Sequence, residues 1–204
     1  MGKNKLRKFA EMETLPCVFQ YPFSVLRSEG GCPMRGKWNS DYFRNGNPIV
    51  VELGCGKGEY AVGLAQTTPD RNFIGIDIKG ARMWTGACRV RDLGLTNCAF
   101  LRTGIELLDE FFAPGEVSEI WITFPDPQMK KVNKRLTGTR FLELYRKVLR
   151  PDGRVNLKTD SPFLYTYTRE MLRHNGLTPD ADTADLYASE LAASLPPIRT
   201  FYEQ

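Results

Sequence analysis

Five short apolar stretches punctuate this chain, and between them the apolar positions repeat at three- and four-residue intervals. Residues 49–53, 72–77, 98–102, 118–124 and 154–159 have strand length and β-branched or aromatic character. Residues 59–67, 81–93, 107–112, 139–149 and 162–175 have helical spacing. Stop signals agree with this division. Pro69 follows the first helix, Gly94 is placed to cap the second, and Pro114-Gly115 ends the third. Ser161-Pro162 offers an N-cap and a first-turn proline to the fifth. A weaker helical pattern covers residues 184–194. Strands that alternate with helices pair in parallel and are covered on both faces. The pattern predicts an α/β fold with a mainly parallel, doubly wound sheet.

Residues 1–48 lack such periodicity. They hold Pro16, Pro22, Pro33, Pro48 and the pair Gly30-Gly31. The expectation is a basic arm over residues 1–15, then a loop-rich lead-in with one short helix. Phe9, Phe19, Tyr21, Phe23, Trp38, Tyr42 and Phe43 would anchor it. Residues 49–204 would form the domain proper, and 204 residues suit one core.

The first strand runs straight into a glycine turn, Glu52-Leu53-Gly54-Cys55-Gly56-Lys57-Gly58, and a helix begins just after it. Strand, glycine turn and helix together place backbone N–H groups at the carboxyl end of a parallel strand, where open sheets bind nucleotide-like ligands. Dinucleotide sites space their glycines as G-x-G-x-x-G. Here Glu59 occupies the place of that third glycine, and Glu52 precedes the first. Carboxylates disfavour a pyrophosphate and favour a cation. The turn therefore suits S-adenosylmethionine, with Glu52, Gly54, Gly56 and Gly58 in contact with it, and it resembles motif I of the class I methyltransferases. Asp77 ends the second strand, 19 residues past Gly58, where a carboxylate can accept both ribose hydroxyls. Thr103 and Gly104 follow the third strand, where adenine would lie.

Composition narrows the class. Hydrophobic residues make up 42% and charged residues 25%, as in ordinary globular proteins. No apolar run nears the roughly 18 residues of a membrane span, and no apolar segment follows Met1-Gly2-Lys3-Asn4-Lys5 to make a secretory signal. The cysteines, Cys17, Cys32, Cys55, Cys88 and Cys98, are odd in number and lack C-x-x-C spacing. They predict reduced thiols in the cytoplasm and no metal site. His174 is the only histidine, which argues against histidine-based catalysis. The net charge is only +4, but basic residues cluster at Lys3, Lys5, Arg7 and Lys8, and again at Lys130, Lys131, Lys134, Arg135 and Arg140. Such clusters on a near-neutral body suit a polyanion partner.

The second cluster directly follows Pro125-Asp126-Pro127, at the carboxyl end of the fourth strand. Two prolines restrict the backbone around one carboxylate. Asp160 ends the fifth strand and would face the same crevice.

From Thr123 to Thr137 the sequence reads TFPDPQMKKVNKRLT, and it resembles the signature of bacterial tRNA (guanine-N7)-methyltransferases. Glu52-Leu53-Gly54, Gly75-Ile76-Asp77, Lys158-Thr159-Asp160 and Thr200-Phe201-Tyr202-Glu203 fall in that family's order. The resemblance implies a Rossmann-like class I methyltransferase fold and methyl transfer to the variable-loop guanine at tRNA position 46. It implies cofactor contacts from Glu52, Asp77 and Asp126, with Asp126 also catalytic. It implies contacts of Lys130, Asp160, Thr200, Phe201, Tyr202 and Glu203 with the guanosine. Lys130 and Lys134 or Arg135 would bind substrate phosphates, and Asp160 would join Asp126 in orienting the base. Three departures stand out: Thr103 or Gly104 replaces an acidic residue, Gln128 replaces a tryptophan, and the chain stops at Gln204, where a final edge strand is expected. A different RNA base methyltransferase, or an inactive RNA-binding module of this fold, remains the alternative. The sequence leaves monomer and homodimer open.

Overall fold

The computed structural model describes residues 2–28, 31–200 and 203. Six strands form one parallel sheet: β1 (Val18–Phe19), β2 (Ile49–Leu53), β3 (Asn72–Asp77), β4 (Cys98–Arg102), β5 (Val117–Thr123) and β6 (Leu149–Lys158). Their order is β1-β4-β3-β2-β5-β6. The chain leaves β2 toward β3 and β4, then returns to pair β5 on the other side of β2. The switch point, where such sheets bind ligands, is thus the crevice at the carboxyl ends of β2 and β5.

Among the described residues eight α-helices accompany the sheet: α1 (Gly2–Thr14), α2 (Phe23–Leu26), α3 (Glu59–Thr67), α4 (Gly80–Leu93), α5 (Leu108–Phe111), α6 (Thr139–Val148), α7 (Pro162–His174) and α8 (Leu191–Ser194). Successive strand residues point to opposite faces, and two buried clusters result. One face carries Ile49, Val51, Ile74, Leu101 and Ile122, covered by Trp38, Phe111 and Tyr145. The other carries Val50, Phe73, Phe100 and Trp121, covered by Met12, Tyr60 and Met83. Both faces are therefore buried, as the unbroken apolar runs predicted.

The lead-in departs most from expectation. Its basic arm is the helix α1, docked on α4 with Met12 fully buried. Trp84 Nε1 donates to Glu11 Oε2 at 2.7 Å, and Lys8 Nζ lies 4.4 Å from the Trp84 ring. Its next segment supplies β1, a two-residue edge strand that sequence pattern did not reveal. The aromatic anchoring holds for Trp38 and Phe43, which lie in the core. Trp38 Nε1 donates to the Phe111 carbonyl at 3.0 Å, and its ring stacks on Phe112. Phe23 is instead exposed, under the Arg27 guanidinium.

Two smaller corrections concern the second half. The turn expected at Arg150–Gly153 is a bulge inside β6: Val117 pairs Leu149, and Glu119 already pairs Arg154. The helix expected over residues 184–194 shortens to α8. By contrast, Ser161 caps α7 as predicted, its Oγ accepting from Leu164 N with Pro162 in the first turn. His174 sits in the last turn of that helix. No strand follows β6 among the described residues.

Candidate active site

The glycine turn is built from backbone that only glycine adopts cheaply. Gly54, Gly56 and Gly58 have φ of 75°, 55° and 72°. The N–H groups of Gly54 and Cys55 both donate to the Ile76 carbonyl, at 2.8 and 3.0 Å, which pins the turn to β3. A Cβ on Gly54 would meet nothing within 4 Å. A Cβ on Gly58 would collide with the Phe100 ring. That ring lies in a notch of three glycines: a Cβ on Gly75 would come within 2.8 Å of it, and one on Gly86 within 2.6 Å. Gly54 thus opens toward ligand space, while Gly58 closes on the core.

Glu52 lies beneath this turn, only 4% exposed. Its Oε1 accepts from Thr123 Oγ1 at 2.7 Å and its Oε2 from Ala61 N at 3.0 Å. It therefore ties the end of β5 to the first turn of α3. Burial raises its carboxyl to about 7 and outweighs those two hydrogen bonds; Glu59 and Asp77 add to the rise. Asp77 is partly exposed. Its Oδ2 accepts from Gly56 N at 2.9 Å and its Oδ1 from Lys79 N at 2.7 Å. Each oxygen keeps a further lone pair for a ribose hydroxyl.

A cavity of about 590 Å³ opens beside Asp77, lined by Ile78, Arg102, Thr103, Gly104 and lead-in residues including Gln20 and Tyr21. Thr103 is 9% exposed, and Ile78 presents an apolar side chain that is 63% exposed. The sequence shows no acidic residue directly after β4, but Glu106 restores one. Its carboxylate reaches back to within 2.8 Å of where a Gly104 side chain would start. Glu106 lies in the stretch expected near the adenine, where spacing assigns it no role; Ile78 is a candidate contact that spacing arguments missed, and an apolar residue directly after Asp77 was the available signal.

Open glycine backbone, a partly exposed carboxylate at the end of β3 and a second carboxylate buried under the turn fit an adenosine ligand with a cationic centre. One consequence can be measured. A cation favours ionised Glu52, so binding releases the proton that burial retains. Between pH 6 and 8, affinity for S-adenosylmethionine should rise about tenfold, and affinity for its neutral product S-adenosylhomocysteine should rise less. Calorimetry across that range reads the difference; equal slopes for both ligands would exclude Glu52 as the charge partner. The sign for folding is opposite. With the folded-state value raised above 4.5, ionisation of Glu52 weakens the ligand-free fold as pH climbs toward 7.

Asp126 stands on the other wall. Thr123 pairs with Lys158 across β5 and β6, and Phe124 N donates to the Lys158 carbonyl at 2.8 Å. The chain then turns through Pro125-Asp126-Pro127. Both flanks of that turn are left-handed, with Phe124 at φ 48° and Gln128 at φ 49°. Each such residue costs about 1–3 kcal/mol, which the surroundings must offset. Asp126 is exposed, and its Oδ1 accepts from Gln128 N at 2.9 Å. Asp160, also exposed, lies two residues past Lys158 at the end of the neighbouring strand. The fold brings both carboxylates to one edge of the crevice.

The substrate-side residues divide. Lys130 and Lys134 are exposed, as a phosphate contact requires. Arg135 is not. It is 7% exposed, its guanidinium packs against the stacked pair of Phe163 and Tyr167 rings, 4.8 and 4.3 Å from their centres, and it donates to the Gln128 and Met129 carbonyls. The expectation of a phosphate contact from Arg135 is corrected by this burial. Thr200 and Glu203 are likewise turned inward. Glu203 Oε1 pairs with Lys158 Nζ and accepts from Tyr187 OH, and its Oε2 accepts from Thr200 N and Oγ1. Burial works to raise the Glu203 carboxyl, but these hydrogen bonds, with that from Lys158 foremost, hold it below its usual value. The segment fastens itself to the end of β6 instead of offering free groups to a base. Phe201 and Tyr202 lie outside the described residues. Among the described residues no cluster of His, Cys, Asp or Glu could hold a metal, and no helix is long and apolar enough to cross a membrane.

Comparison with known proteins agrees with this geometry. Residues 46–204 match the model of a family described as "Putative methyltransferase". A tRNA (guanine-N(7)-)-methyltransferase of Porphyromonas gingivalis is 64% identical over 195 residues, 95% of this chain and 80% of the relative. One of Bacteroides fragilis is 57% identical over the whole chain and 81% of the relative. One of Bacillus subtilis is 36% identical over 83% of this chain and 79% of the relative. Among solved structures, a 16S rRNA (adenine(1408)-N(1))-methyltransferase from Catenulisporales acidiphilia, with its cosubstrate bound, superposes with a TM-score of 0.54. It covers 78% of this chain and 83% of that one at 19% identity, a likeness of fold. The sheet is that of the class I, Rossmann-like methyltransferases, and the chain belongs to the tRNA (guanine-N7)-methyltransferase family.

Proposed function

We propose that this chain methylates N7 of a guanine in tRNA, the variable-loop guanine at position 46, with S-adenosylmethionine as donor. The observation that carries the proposal is the strained Pro125-Asp126-Pro127 turn at the switch point, with Lys130 and Lys134 exposed behind it. Residues 49–204 act as the catalytic domain and residues 1–48 as its lead-in. The setting is the cytoplasm, where tRNA is modified and where five unbonded cysteines persist.

N7 of guanine has a lone pair and no proton, so no base is needed before transfer. S-adenosylmethionine supplies a methyl group on a cationic sulfur. The chain has to place the purine in line with it and compensate the positive charge that grows on the ring. Asp126 and Asp160 accept hydrogen bonds from the N1–H and N2–H₂ edge, which orients the base and stabilises that charge. Asp77 accepts from the ribose of the cofactor, Glu52 faces its charge from below, and Thr103, Gly104 and Glu106 meet its adenine. Lys130 and Lys134 hold phosphates. The exposed Lys5 and Arg7 of α1, with Lys79 just before α4 and Arg82 within it, extend a basic face on the opposite rim. A variable-loop base is already unpaired enough to be splayed into the crevice.

Incubation with unmodified tRNA and S-adenosylmethionine, then digestion to nucleosides, should yield 7-methylguanosine. Another methylated nucleoside would refute the N7 assignment. No heat of binding with S-adenosylhomocysteine would favour the alternative of an inactive RNA-binding module.

A further inference from the structure

Arg135 lies in a run of lysines and arginines that faces RNA, yet it is the one residue of that run turned into the protein. Its five donors are fixed in a plane. Nε donates to the Gln128 carbonyl at 3.3 Å and Nη2 to the Met129 carbonyl at 3.0 Å. Phe163 and Tyr167, one turn apart on α7, cover the guanidinium at 4.8 and 4.3 Å. Gln128 is the residue that matters. It stands in the left-handed region at φ 49°, where a glutamine has no intrinsic reason to stay. Its carbonyl takes the Arg135 bond, and its N–H holds Asp126 Oδ1 at 2.9 Å. The connection therefore runs from the α7 rings through Arg135 and Gln128 to the Asp126 carboxylate. The same helix begins just after Asp160.

We propose that Arg135 is a positioning residue: backed by the stacked rings of Phe163 and Tyr167, it holds Gln128 in its strained conformation and so aims Asp126 at the substrate base. The proposal rests on the role given to Asp126 above. Its segment is built for this purpose. Arg135 N donates to the Val132 carbonyl, Gly138 N donates to the Arg135 carbonyl, and Thr168 Oγ1 on α7 donates to Thr137 Oγ1 at 2.8 Å. The whole stretch is fastened to α7, and Arg135 carries that fixed point to the turn. A lysine there would place one point charge and could not donate twice in one plane while stacked.

Steady-state methylation of tRNA by the full chain separates this from phosphate binding. Arg135→Met keeps length and apolar packing. It should lower kcat by about 10- to 100-fold, since small misplacements near the chemistry cost this much. KM for tRNA and affinity for S-adenosylhomocysteine should stay within about twofold. The salt slope of tRNA binding should not change, whereas Lys134→Gln should reduce it by about 0.7–0.9. Arg135→Lys should restore only part of kcat. In an Asp126→Asn background, Arg135→Met should cost little more, because the two act through one carboxylate. Undiminished kcat with a raised KM and a shallower salt slope would make Arg135 a phosphate contact and overturn the proposal. Full multiplicative losses in the double variant would also overturn it. The Asp126→Asn single variant tests the underlying role separately. If Arg135→Met does not fold, Phe163→Leu removes one of the two rings that back Arg135, from a part-exposed position, and unchanged kcat there would refute the connection.

Discussion

Asp126→Asn should lower kcat by about 100-fold or more, with affinity for S-adenosylhomocysteine changed less than threefold. The substitution is nearly isosteric, and its surviving oxygen can still accept from Gln128 N, so the turn keeps its shape. What disappears is the negative charge. If the carboxylate stabilises charge growing on the purine, its loss raises the barrier by the roughly 3–4 kcal/mol typical of a single preorganised electrostatic partner. Single-turnover rates at saturating tRNA isolate that barrier from binding and product release. Full turnover in the variant would remove Asp126 from the chemistry. Asp160→Asn should act in the same direction, since Asp160 lies beside the same edge of the crevice.

Gly58→Ala should have the largest effect on the fold itself. Its φ of 72° is strained for alanine, and the new methyl would enter the Phe100 ring. Backbone strain of about 1–3 kcal/mol adds to overpacking of about 1–3 kcal/mol. A total near 3 kcal/mol lowers the melting temperature of a chain this size by about 6–12 °C. Gly54→Ala is the control. Its φ of 75° is similarly strained, but its methyl would meet no protein atom within 4 Å. It should lose less stability and more cofactor affinity, because the methyl occupies ligand space. Thermal melts with and without S-adenosylhomocysteine read both quantities. Equal losses of stability in the two variants would exclude the contact with Phe100 as the cause.

The centre of the sheet was legible because β2 to β5 are buried almost throughout and the chain spells them as apolar runs; β6, the edge strand, is largely exposed and mixed in sequence. The glycine turn was legible because three glycines at alternate positions have few other uses after a strand. The lead-in was not. Trp38, Phe43 and Phe19 reach the core from a π-helical turn and a two-residue strand, and neither imposes a repeat on the sequence. The arm did not show its helix because α1 buries Met12 alone completely, with Phe9 partly buried and Leu6 left 72% exposed, too few positions to set a repeat. Arg135 was misplaced for a related reason. A guanidinium among lysines looks solvated, and the rings that bury it lie 28 and 32 residues later, on another element. Thr200 and Glu203 carried a family motif in the right order, but order does not show that a carboxylate has already been claimed by Lys158.

The notch around Phe100 has a consequence for how this sequence can change. Gly58, Gly75 and Gly86 come from a turn, a strand and a helix, and one aromatic ring fills the space that all three leave. None of the four positions is free to vary alone. A side chain at Gly75 becomes tolerable only after Phe100 shrinks, one at Gly86 would also meet the Lys57 carbonyl at 2.6 Å, and a smaller residue at 100 leaves a void under the cofactor turn until Gly75 is filled. The permitted histories are therefore paired substitutions in a fixed order. A homologue with alanine at position 75 should carry a smaller residue at position 100, while Gly86 should stay glycine because the Lys57 carbonyl also closes on it.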